Sequence, residues 1–215
     1  MDAIEALMTT RAIRRFSDEP VSHDELLICL RAAQQAPSGG NVQPQQYVVL
    51  TDPEAKARIG ELYRLAYDRY ERSLPDPSSF RTPDDEASWR RTKAASRHLA
   101  ETMAEVPAIV VFLMPIIPWT PSDEEGPMDI GPLYASVYPA VQSFCVAARA
   151  LGLGTALTTV IRIRTDEVLD ALGIPAGWEI AALVPVGRPA GTFGVARRKP
   201  VEAVTHWDRW GNKHR

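Results

Sequence analysis

The sequence predicts one α/β-type domain built around a mostly buried sheet, and three observations carry that prediction. Three apolar runs of strand length stand at 46–50, 108–113 and 180–187. Between them, apolar residues recur at helical spacing and are bracketed by start and stop signals. No repeat, low-complexity tract or convincing domain boundary interrupts residues 1–215, so the whole chain reads as one unit.

A short first helix starts at Asp2, with Ile4, Leu7 and Met8 on one face. Ser22 and Glu25 form a capping box, the serine meeting a free N–H and the glutamate reaching back. Behind it Leu26, Leu27, Leu30 and Ala33 repeat at helical spacing, and Pro37 ends the element. Gln46-Tyr47-Val48-Val49-Leu50 reads as a strand buried on both faces. Asp52-Pro53-Glu54 then supplies an N-cap with proline at the first helical position, opening a helix that carries Ile59, Leu62 and Leu65.

From 73 to 89 the chain is polar and proline-rich, a loop or lid, and a helix follows through Ala104. After Pro107, Ala108-Ile109-Val110-Val111-Phe112-Leu113 is a second, central strand. Residues 115–132 form another irregular stretch holding Asp123, Glu124, Glu125 and Asp129. Loops this long in a compact domain are functional covers or disordered segments. The helix at 134–151 is the most apolar: Val137, Ala140, Val141, Phe144, Ala148 and Leu151 make a wide stripe that Gly152 terminates. Residues 155–161 read as a β segment, Thr165 caps a helix to Leu172, and Gly173 stops it. Ile180-Ala181-Ala182-Leu183-Val184-Pro185-Val186-Gly187 is the third apolar strand.

Composition narrows the function classes. A hydrophobic share of 45% and a charged share of 24% are ordinary for a soluble globular protein. A chain of this size buries roughly 70% of its unfolded surface, enough to fold without staples. A net charge of −3 calls for neither nucleic acid nor an anionic membrane, so any basic site is local. No apolar run approaches the ~20 residues of a membrane span, and the start Met1-Asp2-Ala3-Ile4-Glu5 lacks a signal peptide's basic, then apolar, character. Cys29 and Cys145 lie far apart in apolar helical patterns and read as buried free thiols in a reducing compartment, the cytoplasm.

No nucleophile or metal site stands out. There is no Walker loop, no G-x-G-x-x-G and no G-x-S-x-G elbow. His23, His98, His206 and His214 show no metal spacing. An enzyme with this sequence leaves its chemistry to a cofactor. The informative feature is a pairing of Arg11-Ala12-Ile13-Arg14-Arg15 with Ala36-Pro37-Ser38-Gly39-Gly40-Asn41-Val42-Gln43-Pro44. One helix lies between them, so one folded unit presents a cationic cluster and small, polar, backbone-donating groups at nearby ends. The bland readings are solvated charge at a helix boundary and a glycine-rich turn. They leave Asn41 and Gln43 unexplained, placed two apart before a strand where both can point the same way. An anionic, planar, hydrogen-bonding ligand such as a flavin phosphate suits the pairing better. Arg197-Arg198-Lys199-Pro200 is a third basic patch.

Thr10-Arg11-Ala12-Ile13-Arg14-Arg15-Phe16, Pro20-Val21 and the 36–44 stretch resemble the opening signature of the nitroreductase family of FMN oxidoreductases. Gln142, Gly152-Leu153-Gly154-Thr155, Val184-Pro185-Val186-Gly187-Arg188-Pro189 and Arg197-Arg198-Lys199-Pro200 follow in the family's order. The resemblance therefore covers nearly the whole chain outside the two irregular loops. Pro139-Ala140-Val141-Gln142-Ser143-Phe144-Cys145 and Val204-Thr205-His206-Trp207 are most similar to actinobacterial-type members.

The resemblance implies an α+β fold with a central, mostly antiparallel sheet flanked by helices and a C-terminal segment exchanged in a dimer. It implies that Arg11 and Arg198 hold the FMN phosphate, with Ser38, beside Pro37 and Gly39, near the ribityl chain. Arg14 would sit at the pyrimidine edge, where a cation stabilises negative charge on the reduced ring. Asn41 and Gln43 would bond the ring edge or ribityl hydroxyls, and Leu157, Thr158 and Thr159 would lie along the isoalloxazine. Ala12, Gln142 and Arg197 complete the implied cofactor-binding set. The chain departs from the family's R-R-S-x-R pattern at Thr10 and Ala12, so one phosphate ligand is missing or comes from Arg15 or Arg197. Ser143 stands where an asparagine commonly follows the glutamine.

The implied activity is NAD(P)H-dependent reduction of nitroaromatics, quinones or related electrophiles by ping-pong hydride transfer through FMN, with no protein acid or base. The alternatives are another flavin reaction (reductive dehalogenation, dehydrogenation, flavin degradation) or flavin storage without turnover. The implied partners are a second copy of the chain, with FMN at the subunit interface, and a small-molecule electron acceptor, with no nucleic acid and no membrane. Trp207 and Trp210 in the tail mark buried contact more often than a solvated end.

Overall fold

The computed structural model describes residues 1–80 and 82–213, so His214 lies outside the described residues. In chain order the elements begin α1 (Ala3–Thr9), α2 (His23–Gln34), β1 (Gln46–Leu50), α3 (Pro53–Glu71), α4 (Pro83–Thr102) and β2 (Ala108–Pro115). They continue β3 (Ser122–Asp123), β4 (Gly126–Pro127), α5 (Tyr138–Ala150), β5 (Gly154–Thr155), α6 (Thr165–Ala171), β6 (Trp178–Gly187) and α7 (Val201–Val204).

The three apolar runs become β1, β2 and β6 of one antiparallel sheet, in the order β1-β2-β6-β5. The class is therefore α+β. Register follows from burial: Val49 faces Val110, and Val110 faces Val184. Strand side chains alternate between faces. Ala108, Val110, Phe112 and Met114 point into one core with Leu26, Cys29 and Ala33 of α2 and Val141, Phe144, Cys145 and Ala148 of α5. Ile109, Val111 and Leu113 point into the other, with Ile59, Leu62 and Tyr67 of α3, Leu99 of α4 and Val168 of α6. Each large side chain sealed in this way contributes roughly 1.5–3 kcal/mol. A bulge after Phe112 leaves Ala181 unpaired, and the Tyr138 hydroxyl donates to its carbonyl at 3.3 Å.

Local signals act as expected at most helix starts. Ser22 and Glu25 form both bonds of the capping box, and Asp52 caps α3 ahead of Pro53. Gly152 and Gly173 end their helices with φ of +77° and +63°. Both cysteines are buried and free; burial pushes the Cys29 thiol up to about 12. No described helix is long and apolar enough to cross a membrane, and no described cluster of His, Cys, Asp or Glu could hold a metal.

Five details differ from the sequence reading. β1 is an edge strand, half-exposed over most of its length rather than buried on both faces. α4 begins at Pro83, inside the stretch read as a loop, because the Thr82 side chain accepts from Asp85 N–H and starts it. The apolar helix starts at Tyr138; a 3-10 turn, Leu133–Ser136, takes the preceding residues. Residues 155–161 hold only the end of β5, one bridge from Thr158 to Leu183 and the start of a 3-10 turn, Val160–Arg164. Thr165 is the first residue of α6 and does not cap it, its hydroxyl donating back to the Arg162 carbonyl at 2.9 Å.

Arg188, just past β6, binds the two core helices together. It donates to Glu25 at 2.6 Å, to Glu19 at 3.0 Å and to the Leu151 carbonyl at 3.2 Å. The Ser22 backbone N–H holds the Glu25 carboxyl below its ordinary value of 4.5; burial opposes this and Arg188 reinforces it. A lowered folded-state value gives stability that is present above the unfolded value and lost as pH falls through the folded one. Thermal melts of wild type and Glu25→Gln should therefore differ fully above pH 4.5 and converge as the solution is acidified further. A gap that stays constant through that range would contradict the assignment.

Candidate functional site

The basic run is extended where it passes the sheet. Ile13 N–H donates to the Thr155 carbonyl at 2.8 Å, Ser17 N–H to Arg188 at 3.0 Å, and Ala190 N–H to the Arg15 carbonyl at 3.0 Å. Ile13 is the inward anchor. Gly154 makes room for it: a Cβ there would stand 2.8 Å from Ile13 Cγ2. With Ile13 inside, Ala12 and Arg14 turn outward, and Arg11, Ala12 and Arg15 are exposed.

Beside them lie Leu157, Thr158 and Thr159. Thr158 exchanges both backbone bonds with Leu183 at 2.9 Å, and its hydroxyl meets that of Tyr63 at 3.2 Å. Burial raises the Tyr63 hydroxyl above the ordinary tyrosine range, opposed by the Thr158 bond and by the Arg14 guanidinium. The fold thus brings Arg11, Ala12, Arg14, Leu157, Thr158 and Thr159 to one edge. Tyr63 joins them unannounced, since in sequence it is one more residue of the apolar stripe of α3.

The 37–44 stretch folds into a compact loop. Gly40, Asn41 and Gln43 all have positive φ, of +57°, +56° and +45°. For glutamine that is a strained conformation, of the kind that collects at functional sites. Asn41 and Gln43 do meet, Gln43 Nε2 donating to Asn41 Oδ1 at 3.1 Å. They meet through this left-handed turn and not through strand alternation. The backbone donors read from the sequence are mostly consumed within the fold. Asn41 N–H bonds Ser38 O, Val42 N–H bonds Gly39 O, Gln43 N–H bonds Ser38 Oγ and Gly39 N–H bonds Ser136 Oγ. The side-chain amides are what the loop presents. Gln34, at the end of α2, braces them: it donates to Gln43 at 3.2 Å and accepts from Gln45 and Tyr47. The sequence signalled neither Gln34 nor Ser136.

The two halves do not meet within one chain. Gly39 is tied to Ser136, just before α5, whereas Arg188 ties Glu25 to Leu151 at its far end, and Thr9 bonds Arg149 there. α2 and α5 therefore run antiparallel, and the loop and the basic strand sit at opposite ends of α5, a helix about 20 Å long. Gln142 is exposed partway along α5. Arg197 and Arg198 lie on the C-terminal arm, and no hydrogen bond or ion pair among the described residues joins them to Arg11. None of Arg11, Arg14, Arg15, Arg197 or Arg198 makes an ion pair among the described residues. A cleft of ≈ 1060 Å³ opens beside the loop, lined by Gly39, Gly40, Val42, Trp119, Met128 and Ser136 among others. The 115–132 stretch is thus one wall of it.

A model described as "Nitroreductase family" matches residues 7–188. The "FMN reductase [NAD(P)H]" of Bacillus subtilis is 29% identical over 213 residues, covering 99% of this chain and 76% of that protein. The "Iodotyrosine deiodinase" of Drosophila melanogaster is 25% identical over 188 residues, 86% of this chain and 61% of that protein. Among solved structures, oxidized iodotyrosine deiodinase bound to FMN and 3-iodo-L-tyrosine superposes with a TM-score of 0.73 at 20% identity, covering 97% of this chain and 100% of that one.

Removing the Ser136 hydroxyl leaves the Gly39 N–H without its acceptor and loosens the loop. In Ser136→Ala, hydrogen exchange at Gly39 should speed by roughly tenfold, the equivalent of about one hydrogen bond. Unchanged exchange there would show that the bond does not hold the loop.

Proposed function

The chain belongs to the nitroreductase family, and on that premise we propose that it is an NAD(P)H-dependent FMN oxidoreductase reducing nitroaromatics, quinones or related electrophiles. One observation carries the reading. Arginines without carboxylate partners stand at one end of the α2–α5 pair, and a strained amide-presenting loop stands at the other, beside a cleft. FMN fits both. Its phosphate suits guanidinium groups that lack a counter-charge, and its planar ring edge suits the Asn41 and Gln43 amides. The Bacillus subtilis relative, named for FMN and NAD(P)H, supports the cofactor and the donor.

The flavin, when bound, supplies the redox chemistry between nicotinamide and acceptor. The chain supplies grip and charge. Arg11 and Arg198 hold the phosphate, with Arg197 and Ala12 beside them and Pro37, Ser38 and Gly39 near the ribityl chain. Arg14 places a cation at the pyrimidine edge, where negative charge gathers. Leu157, Thr158 and Thr159, on the same edge as Arg14, would flank the ring, and Gln142 on α5 would complete the set.

Because the two halves sit at opposite ends of α5 in one chain, we place the cofactor between two copies, the basic edge from one and the 37–43 loop from its partner. Ile4, Leu7 and Met8 leave an apolar face of α1 exposed, and the arm exposes Val201, Val204 and Trp210. Surfaces of this kind mark contacts, so a homodimer that exchanges the end of the C-terminal arm, beyond Arg198, is the proposed assembly, each chain acting as one domain in the cytoplasm. A second reading, reductive dehalogenation, draws on the 25% identity to the deiodinase.

Anaerobic stopped-flow tests the proposal. NADH or NADPH should bleach the bound flavin, and a nitroaromatic or quinone should restore its colour; restoration by a haloaromatic alone would favour the second reading. A protein that holds FMN but is not bleached by either nicotinamide would contradict both. Arg14→Ala should slow bleaching more than it weakens FMN retention, and Arg198→Ala should do the reverse.

A further inference from the structure

Arg149, near the end of α5, is 9% exposed and has no carboxylate partner among the described residues. Burying most of a charged side chain without a counter-ion has a cost, although Nη1 and Nη2 are not sealed from solvent, and a purely structural position there would be filled as well by an apolar residue. Its surroundings account for its being held. Nε donates to Thr9 Oγ1 at 2.8 Å, and the guanidinium lies 3.9 Å from the Phe193 ring centre. The end of α5 adds the partial negative charge of its last carbonyls. Nη1 and Nη2 make no hydrogen bond among the described residues.

The two contacts reach the two segments that matter. Thr9 is the last residue of α1 and leads directly into Thr10 and Arg11. Phe193 opens the arm that carries Arg197 and Arg198, and that arm otherwise bonds mainly to itself: Lys213 donates to the Ala203 carbonyl, Trp207 N–H to the Asn212 carbonyl, and His206 stacks on Trp210. One side chain therefore fixes the basic strand on one side and the root of the basic arm on the other.

We infer that Arg149 is a positioning residue for the FMN phosphate, locking Arg11 and the Arg197–Arg198 arm into one electropositive unit. This rests on the FMN reading above. It accounts for a phosphate grip that survives with threonine at position 10 and alanine at 12, where the family pattern has arginine and serine. The Arg149 charge stands behind the grip and does not touch the ligand.

The test compares two probes that share the ring and differ in the phosphate. Apo protein is titrated with FMN and with riboflavin, following the quenching of flavin fluorescence. Arg149→Ala should weaken FMN binding by about tenfold or more while riboflavin changes by less than about twofold. Arg149→Lys should recover only part of the loss, because an ammonium has no planar fork to stack on Phe193. Thr9→Val keeps the charge but removes the acceptor, and it should weaken FMN selectively by a smaller factor. If Arg149→Ala does not fold, Arg149→Lys and Thr9→Val carry the same comparison. Equal losses for both probes, or no loss for either, would overturn the assignment. Wild-type protein that binds FMN no more tightly than riboflavin would instead sink the phosphate reading on which it stands.

Discussion

Leu26, Cys29 and Ala33 of α2 pack against Val141, Phe144, Cys145 and Ala148 of α5, with the two helices running in opposite directions. Small side chains on both surfaces let the pair lie close over one face of the sheet. That packing sets the distance between everything chemically interesting in the chain. The loop after α2 is carried to the start of α5, and the basic strand is left at its end. Helices of 12 and 13 residues hold the loop and the basic strand at opposite ends of the pair.

Each of these two features is held in place by a different device. The basic strand is plugged into the sheet by Ile13, which fits because Gly154 has no side chain. The loop is held by the bonds of Gln43 to Ser38 and Gln34 and of the Gly39 N–H to Ser136. Both leave polar or cationic side chains pointing outward while part of their backbone is already bonded within the fold. That is the preorganisation a ligand site needs, since little remains to be ordered when the ligand arrives. The 115–132 stretch, irregular apart from the small hairpin of β3 and β4, forms the wall of the adjoining cleft and brings Trp119 and Met128 to it.

Much of the fold was legible because its signals are local. Ser22 with Glu25, Asp52 with Pro53, and Gly152 act within a few residues, and three apolar runs could hardly be anything but the sheet. The edge position of β1 was not legible, because its composition matches that of a central strand and only pairing distinguishes them. Thr82 was hidden among prolines that suggested a loop. Among the candidate site residues, Arg11, Arg14, Asn41 and Gln43 stood out by type and spacing. Tyr63, Ser136 and Arg149 did not. They meet Thr158, Gly39 and Thr9 across 95, 97 and 140 residues of sequence, and no local pattern carries such a pairing. The 11–15 run and the 37–44 stretch were legible as a pair held about one helix length apart, because a single helix, α2, lies between them in sequence.

The central claim, that one cofactor site is assembled from two copies, is tested most directly by mixing two crippled chains. One carries Arg11→Ala and Arg14→Ala; the other carries Asn41→Ala and Gln43→Ala. Each alone should lose tight FMN binding. Co-refolded, they should regain it, because a mixed dimer joins an intact basic edge from one chain to an intact loop from the other. FMN affinity in the mixture no better than in the separate variants would contradict the account.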